Sequence, residues 1–257
     1  MFRLTFLCIC LVFASLLLAS ISYAQVSMES VLAIWLLDEG KGDKVTDASG
    51  NGHDGSFVDS PKWVNGQFGS ALSLDGDNDF VQMNDPVVGQ IVDFTIGCWL
   101  KPSATQKAYA ELLDCHSSSH GIGMEQVGTN TNLFIAFFGS GKWEGVVDGV
   151  QLNADEWNHF VLMRKGTTKQ ILLNGEVAQE ETVSGDPVLA ATDNFRIGNW
   201  TGGTREFNGV FDEAFVYSRA LSQDEIVSIM QSGIKGALSV SPADKTASAW
   251  GMIKTRY

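Results

Sequence analysis

The chain has 257 residues, and its 30 acidic residues outnumber its 17 basic ones, which gives a formal net charge of −13 at pH 7. This balance excludes a surface that binds nucleic acid or anionic membranes, because such surfaces need clustered Lys and Arg. Scattered Asp residues with Gly and Asn nearby are more compatible with a hard cation.

Residues 1–24 have the pattern of a secretory signal peptide. Arg3 gives the positive start, residues 4–18 the apolar run, and Ser22-Tyr23-Ala24 a small-residue cleavage site. A membrane-spanning helix is the alternative, but no basic stop-transfer flank follows the run. We therefore expect a protein that is secreted, periplasmic or at the cell surface, without membrane insertion after cleavage.

The rest of the chain predicts an all-β protein, because short apolar stretches alternate with Gly, Asn and Asp. Strands are expected, in chain order, at residues 31–37, 71–74, 80–83, 94–101, 110–114, 121–126, 132–138, 142–147, 156–164, 170–173, 176–180, 194–198 and 214–218. Asn174-Gly175 predicts a tight hairpin turn between two of them.

One helix is predicted, at residues 222–232, near the end of the chain. Ser222 caps its start and Glu225 reaches back to the cap, which makes a capping box. The preceding strand alternates, with Ala214 and Val216 on one face and Phe215 and Tyr217 on the other. We expect one domain over residues 25–233 and a tail over 234–257, in which residues 237–241 are a candidate edge strand.

Two cysteines, Cys98 and Cys115, remain after signal removal, in a chain bound for an oxidising compartment. If the strands around residues 94–101 and 110–116 pair through the intervening loop, Cys98 lies opposite Asp114, one residue from Cys115. A cross-strand disulfide is one interpretation, and two buried free thiols are the other.

The order and spacing of several short motifs resemble the laminin-G-like, concanavalin A-like jelly roll of secreted bacterial proteins, over about residues 30–233. These motifs are Trp35 with Asp38-Glu39-Gly40, Asp47-Ala48-Ser49-Gly50-Asn51-Gly52, Gly69 with Ala71-Leu72 and Leu74-Asp75-Gly76, Phe94-Thr95-Ile96 with Trp99, Trp157-Asn158-His159, Asn174-Gly175, and Asp212-Glu213 with Tyr217, Arg219-Ala220-Leu221-Ser222 and Glu225-Ile226. The resemblance implies a two-sheet antiparallel jelly-roll sandwich whose first and last strands are neighbours.

The resemblance also implies a structural calcium ion at the seam between the first and last strands. Calcium takes six to eight oxygen ligands, and Asp38, Asp47, Asn51 and Asp212 can supply side-chain oxygens there. The alternative is that Asp47 and Asn51 only shape a turn and Asp212 only acts as a cap.

No catalytic signature is found in the sequence. Relatives that hydrolyse β-glucans carry Glu-x-Asp-x-x-Glu on one strand, which this chain lacks. Asp212 and Glu213 are adjacent, so strand alternation is expected to send them to opposite faces. The four His residues lack zinc-binding spacing, and His159 is expected to be a structural hydrogen-bonding residue in the Trp-x-His element. We therefore expect a protein that is not an enzyme.

The leading functional hypothesis is a secreted binding module whose ligand is a glycan or an extracellular glycoprotein. The candidate ligand-binding residues, expected on the concave sheet and its rim, are Trp143, Arg164, Arg196 and Trp200. A structural or adhesive surface protein that contacts other proteins is the alternative. A glycoside hydrolase or lyase with an unusual site is disfavoured by the missing carboxylate signature.

Overall fold

The computed structural model describes residues 24–116, 120–140, 143–144, 148–182 and 193–238, so most of the predicted signal peptide and tail lies outside the described residues. Within these ranges the strands are β1 Val31–Trp35, β2 Lys44–Val45, β3 Gly55–Val58, β4 Lys62–Asn65, β5 Ser70–Asp75, β6 Phe80–Met83, β7 Phe94–Pro102, β8 Glu111–Asp114, β9 His120–Gln126, β10 Leu133–Ser140, β11 Trp143–Glu144, β12 Val150–Gln151, β13 Asn158–Lys165, β14 Thr168–Leu173, β15 Glu176–Thr182, β16 Arg196–Ile197 and β17 Asn208–Tyr217. One helix, α1, covers Gln223–Leu238.

The strands form two antiparallel sheets. Sheet 1 has the order β15-β14-β13-β7-β17-β5-β4, and β1 also pairs with β17. Sheet 2 has the order β11-β10-β9-β8-β16-β6-β3-β2, and β12 also pairs with β10. The predicted jelly-roll sandwich is confirmed, as are the pairing of first and last strands and the meander from β8 to β11.

The main core lies between the two sheets and follows strand alternation. From β7 it contains Phe94, Ile96, Cys98 and Leu100, as the sequence predicted. Sheet 2 contributes alternate residues in the same way, including Phe134, Ala136 and Phe138 of β10. The intervening residues of β10 therefore point to the outer face of sheet 2.

A second apolar cluster covers the outer side of sheet 1. Phe215 and Tyr217 of β17 pack there against Ile226 and Ile229 of α1, whereas Ala214 and Val216 point into the main core. The predicted capping box is present, because Ser222 N donates to Glu225 Oε2 at 2.8 Å and Glu225 N donates to Ser222 Oγ at 3.2 Å. The strand–cap–helix prediction is confirmed.

The helix runs past the predicted domain boundary at residue 233. Gly233 breaks its regularity with φ 70° and ψ 166°, and helical structure then continues to Leu238. The candidate edge strand at residues 237–241 is therefore wrong for Ala237 and Leu238. Ala237 is instead buried against the start of the domain, where its carbonyl accepts a 3.0 Å hydrogen bond from Val26 N.

The strand pairing behind the disulfide prediction is also wrong. β7 lies in sheet 1 between β13 and β17, whereas β8 lies in sheet 2 between β9 and β16. Cys98 and Cys115 are both buried free cysteines, which is the alternative that the sequence left open. Burial raises the pKa of both thiols, so neither is an exposed reactive cysteine.

Candidate functional site

The outer face of sheet 2 carries a cluster of three carboxyl groups, two of them buried and one partly buried. Glu111 and Asp114 belong to β8, and Glu125 belongs to β9 directly opposite Glu111. The pairing register shifts between Glu111 and Asp114, because these residues oppose Glu125 and Gly123, which are only two apart. This β-bulge places two acids with a spacing of three on one face, which regular alternation would separate. We call Glu111, Asp114, His116 and Glu125 the acidic cluster.

The carboxyl groups of the acidic cluster have pKa values above their ordinary values. Burial raises the pKa of Glu111 well above its ordinary range, and the neighbouring charges of Asp114 and Glu125 raise it further. Burial also raises the pKa of Asp114 and of Glu125, against the opposing effects of His116 and of Arg205, respectively. Burial is the largest cause for all three groups, and it favours their protonated forms.

Arg205 joins the acidic cluster to two aromatic rings. Its Nη1 lies 2.6 Å from Glu125 Oε2 and 3.4 Å from Glu111 Oε1. Its guanidinium lies 4.5 Å from the ring centroid of Trp200 and 5.1 Å from that of Tyr109, which is 49% exposed. Cation and rings therefore form one layered surface beside the carboxyl groups.

His116 connects the acidic cluster to the loop after β16. Its Nδ1 contacts Asp114 Oδ1, and its ring stacks on Trp200 with centroids 5.9 Å apart. Thr201 N donates to Asp114 Oδ2 at 3.0 Å. Gly123 makes room for this arrangement, because a Cβ there would lie 2.5 Å from the Phe137 ring. The serines of residues 117–119 lie outside the described residues.

An open cleft of about 480 Å³ lies beside the acidic cluster on the same face. Arg196 lines it, held in place by hydrogen bonds from Nε to Gln82 Oε1 at 2.6 Å and from Nη1 to the Trp200 carbonyl at 2.5 Å. Its guanidinium lies 4.8 Å from the Phe80 ring centroid. The lining combines apolar and polar groups, contributed by Val58, Asp59, Asn78, Phe80, Arg196, Asn199, Thr201, Gly202, Gly203 and Glu206.

The structure brings together two of the four predicted ligand-binding residues. Arg196 and Trp200 meet at the cleft and the acidic cluster. Arg164 is instead fully buried in β13, where its Nε donates to the Gly166 carbonyl and its guanidinium lies 5.6 Å from the Phe138 ring centroid. Trp143 begins β11, and its side chain lies outside the described part of the structure.

The predicted calcium ligands divide into two pairs. Asp47 accepts hydrogen bonds from Ile34 N, Ser49 N and His53 N, and Asn51 Nδ2 donates to two carbonyls of β1. Burial tends to raise the pKa of Asp47, but these bonds and one from Ser49 Oγ lower it overall. Both residues therefore hold the loop against β1, as in the turn-shaping alternative.

Asp38 and Asp212 both lie near the seam of β1 and β17, where each accepts a hydrogen bond from residues 66–70. Asp212 Oδ2 accepts from Phe68 N at 2.9 Å, and Asp38 Oδ1 accepts from Ser70 N at 3.0 Å. Asp212 Oδ1 is buried without a hydrogen-bond partner among the described residues. Lys235 Nζ lies 2.6 Å from Asp38 Oδ2, so a cation from α1 already contacts this seam.

Glu213 also belongs to the seam, contrary to the prediction that it faces away from Asp212. Its φ of 47° and the register shift between Asp212 and Phe215 mark a β-bulge, which overrides alternation. Its carboxyl group accepts from Ile234 N at 2.9 Å. Burial raises the pKa of Asp212 to about 7 and that of Glu213 to about 8. We call Asp38, Asp212 and Glu213 the seam acids.

His159 does not have the hydrogen-bonding side chain that the sequence predicted. Its ring is fully buried between Trp99 and Phe215, at centroid distances of 5.1 and 6.1 Å. Neither ring nitrogen has a hydrogen-bond partner among the described residues. Burial lowers its pKa to about 3, so it is a neutral core residue.

A family model agrees with this architecture. The model of the concanavalin A-like lectin/glucanases superfamily, described as Laminin_G_3, matches residues 75–227, which is more than half of the chain. The chain belongs to this superfamily. The match spans both the acidic cluster and the seam acids Asp212 and Glu213. Comparison with curated protein sequences finds no match.

Solved structures of low sequence identity share this superfamily fold. Domain 4 of AbnA, an extracellular GH43 arabinanase from Geobacillus stearothermophilus in complex with arabinotriose, is 18% identical with a TM-score of 0.61, over 82% of this chain and 100% of that one. The binding domain of botulinum neurotoxin DC is 11% identical over 80% of this chain, in complex with SialylT (TM-score 0.61) and with rat synaptotagmin II (TM-score 0.62).

These similarities establish the fold of the superfamily member described here. The chain spans about half the length of the neurotoxin binding domain, since each match covers 52% of that chain. No helical segment in the described residues is long and apolar enough to cross a lipid bilayer.

Proposed function

We propose that the protein is a secreted module that binds glycan without turnover, through the outer face of sheet 2. The observation that carries this proposal is the cleft, in which a fixed arginine, the partly buried ring of Phe80 and several amide and hydroxyl groups converge. Aromatic faces stack on sugar rings while placed polar groups select hydroxyls. Two structures of the same fold are complexes with arabinotriose and with SialylT, which supports a glycan ligand.

The charges that line the cleft favour a neutral glycan. Glu206 is buried against Lys107, with Oε2 to Nζ at 2.7 Å, so its charge is offset. Asp59 remains on the rim, and Arg196 makes its hydrogen bonds within the protein. An anionic sugar would therefore be repelled by the Asp59 carboxylate, and the Arg196 guanidinium would offer it little compensation because it already donates hydrogen bonds within the protein.

The proposal is tested by a glycan array followed by calorimetry on neutral and sialylated oligosaccharides. Arg196→Ala and Trp200→Ala are each expected to weaken binding about tenfold or more, as is typical of central contact residues. Trp63→Ala on β4 of sheet 1 is the matched control and should leave affinity unchanged. An array without signal at millimolar ligand contradicts the proposal, as does wild-type affinity in both variants.

Binding without turnover has its own test. A panel of polysaccharides is incubated with the protein, and new reducing ends are measured. We expect none. Release of reducing ends that disappears in Glu125→Gln would instead assign the acidic cluster to a glycoside hydrolase, the less favoured alternative.

A protein ligand is the second candidate, because the neurotoxin binding domain is also found in complex with synaptotagmin II. Here the partner would be an extracellular protein or glycoprotein. Enzymatic removal of glycans from a captured partner separates the two ideas, since capture survives only if the polypeptide is recognised.

We further propose a structural calcium ion at the seam, held by Asp38 and Asp212. The buried, unpartnered Asp212 Oδ1 supports this, while Asp47 and Asn51 serve the neighbouring loop. Chelation is then expected to lower the melting temperature, and Asp212→Ala to remove most of that effect. At a hundredfold excess over the dissociation constant, bound metal contributes about 2.7 kcal/mol. Identical melting with and without chelator contradicts the site.

A further inference from the structure

Glu111 lies on the outer face of sheet 2, and its carboxyl group has few hydrogen-bond partners. Its side chain is fully buried, and its Oε1 lies at the long distance of 3.4 Å from Arg205 Nη1. Apart from the carboxyl group of Glu125, its Oε2 has no hydrogen-bond partner among the described residues. A buried carboxylate in this state is costly unless a proton or a cation compensates it.

The neighbours of Glu111 are metal-ligating groups at metal-ligating distances. Glu111, Asp114 and His116 each offer one ligand atom, and these atoms all lie within 4.8 Å of one another. All three side chains are buried and held on β8 or directly after it. In a zinc site these atoms would lie roughly 2.0–2.2 Å from the ion.

The charge around these groups also favours a cation. Among the described residues, Glu111 and Glu125 share the guanidinium of Arg205, whereas Asp114 contacts the imidazole of His116. Arg196 faces Asp114 across the strands, but its hydrogen bonds go to Gln82 and the Trp200 carbonyl. A divalent ion would supply the missing positive charge.

We propose that Glu111, Asp114 and His116 bind a divalent transition metal ion of the zinc class. Two carboxylates and one imidazole are a mixed oxygen and nitrogen set, which suits zinc or manganese better than calcium or magnesium. The ion would lie between the ligand atoms of these three residues, and Glu125 keeps its pairing with Arg205. Because Asp114 and His116 also contact Thr201 and Trp200, the ion would fix the loop beside the cleft.

This inference does not depend on the proposed glycan binding or on calcium at the seam. The competing explanation is a proton shared by Glu111 and Glu125, which are paired across β8 and β9. The two differ in one measurable respect. Metal binding must release protons from the cluster, whereas a shared proton leaves the protein indifferent to zinc.

The test uses the mature protein, stripped with a chelator, loaded with zinc and desalted. We expect about one zinc per chain by elemental analysis, and proton release when calorimetry is repeated in buffers of different ionisation enthalpy. Calcium and magnesium should not compete. Crystals of the loaded protein should show anomalous scattering at the zinc edge between Glu111, Asp114 and His116, which needs no variant.

Variants locate the ion. Glu111→Gln and Asp114→Asn should each weaken zinc binding about tenfold or more, with circular dichroism confirming the fold. Glu176→Gln on the exposed strand β15 and Asp212→Asn at the seam are the controls, and both should keep the zinc. No retained zinc overturns the proposal. So do equal retention in the two cluster variants, loss only in Asp212→Asn, and equal competition by calcium.

Discussion

The acidic cluster and the seam acids share one backbone feature, but their carboxyl groups have different kinds of hydrogen-bond and ion-pair partners. In each, a β-bulge places neighbouring acids of one strand on one face, and burial raises their pKa values. The seam acids accept hydrogen bonds mainly from backbone N–H groups, such as those of Phe68 and Ile234. The acidic cluster depends mainly on the side chains of Arg205 and His116.

Because of this difference, the seam acids form a rigid structural site, whereas the acidic cluster can rearrange. Backbone donors are fixed by the chain path, so the seam acids tie residues 66–70 and the end of α1 to β17. Side-chain partners can exchange for a ligand at the cost of a few rotations. The outer face of sheet 2 is therefore the more adaptable of the two regions.

The largest expected effect is the loss of Arg205. Arg205→Ala leaves Glu111 and Glu125 without their guanidinium, and we expect a loss of about 3 kcal/mol in the free energy of unfolding. Urea unfolding in the presence of a chelator measures it. The control is Arg219→Ala, which removes the partner of Glu225 near the surface and should cost about 1 kcal/mol. Equal losses in the two variants would show that the acidic cluster does not need this charge.

Next in size is a change at the backbone of the seam. Gly233→Ala is expected to cost about 2 kcal/mol, because φ 70° with ψ 166° is restricted to glycine. A Cβ there would also lie 2.9 Å from Glu213 Oε1. Gly203→Ala, at a positive φ of 81° but with open space around the Cβ, is the matched control and should cost less. Melting temperatures of both variants decide this.

A smaller effect is expected from Asp212→Asn, and it depends on pH. In the folded state the pKa of Asp212 is about 7, whereas the unfolded carboxyl ionises near pH 4. Since the folded state keeps the proton longer, wild-type stability without calcium falls as pH rises from about 4 to about 7. The variant lacks this slope, so it gains on the wild type by about 1 kcal/mol between pH 5 and pH 8. A constant difference between the two pH values would contradict this account.

The smallest effect at neutral pH concerns His159, which is buried against Trp99 and Phe215. Its pKa of about 3 lies below the ordinary value, so stability is lost as pH falls from about 6.5 towards 3. His159→Leu should remove that loss and change stability by less than about 1 kcal/mol at pH 8. Unfolding curves at both ends of this range test it, and an unchanged acid slope would contradict it.

Sequence patterns predicted what depends on neighbouring residues along the chain. Alternation in β7 and β17 assigned the core faces, Ser222 and Glu225 marked the start of α1, and Asn174-Gly175 marked a hairpin turn. Short strands such as β2 and β12 were missed, because two residues carry no period.

The acidic cluster and the place of Glu213 at the seam escaped prediction for one physical reason. Alternation assigns opposite faces to Asp212 and Glu213, and to Glu111 and Asp114, but a bulge in each strand adds a residue and brings the acids together. Bulge positions are set by the partner strand. One signal was present, since Gly121 and Gly123 alternate in β9 and make room for bulky neighbours on the outer face.

The hydrogen bond between Val26 N and the Ala237 carbonyl holds the first and last parts of the described domain together. Both residues lie in the apolar cluster on the outer side of sheet 1, whereas the cleft opens on the outer side of sheet 2. Val26 and Ala237 thus lie side by side on the outer side of sheet 1, opposite the cleft. A polypeptide joined next to Val26 or Ala237 would therefore start on the side of the sandwich opposite the cleft.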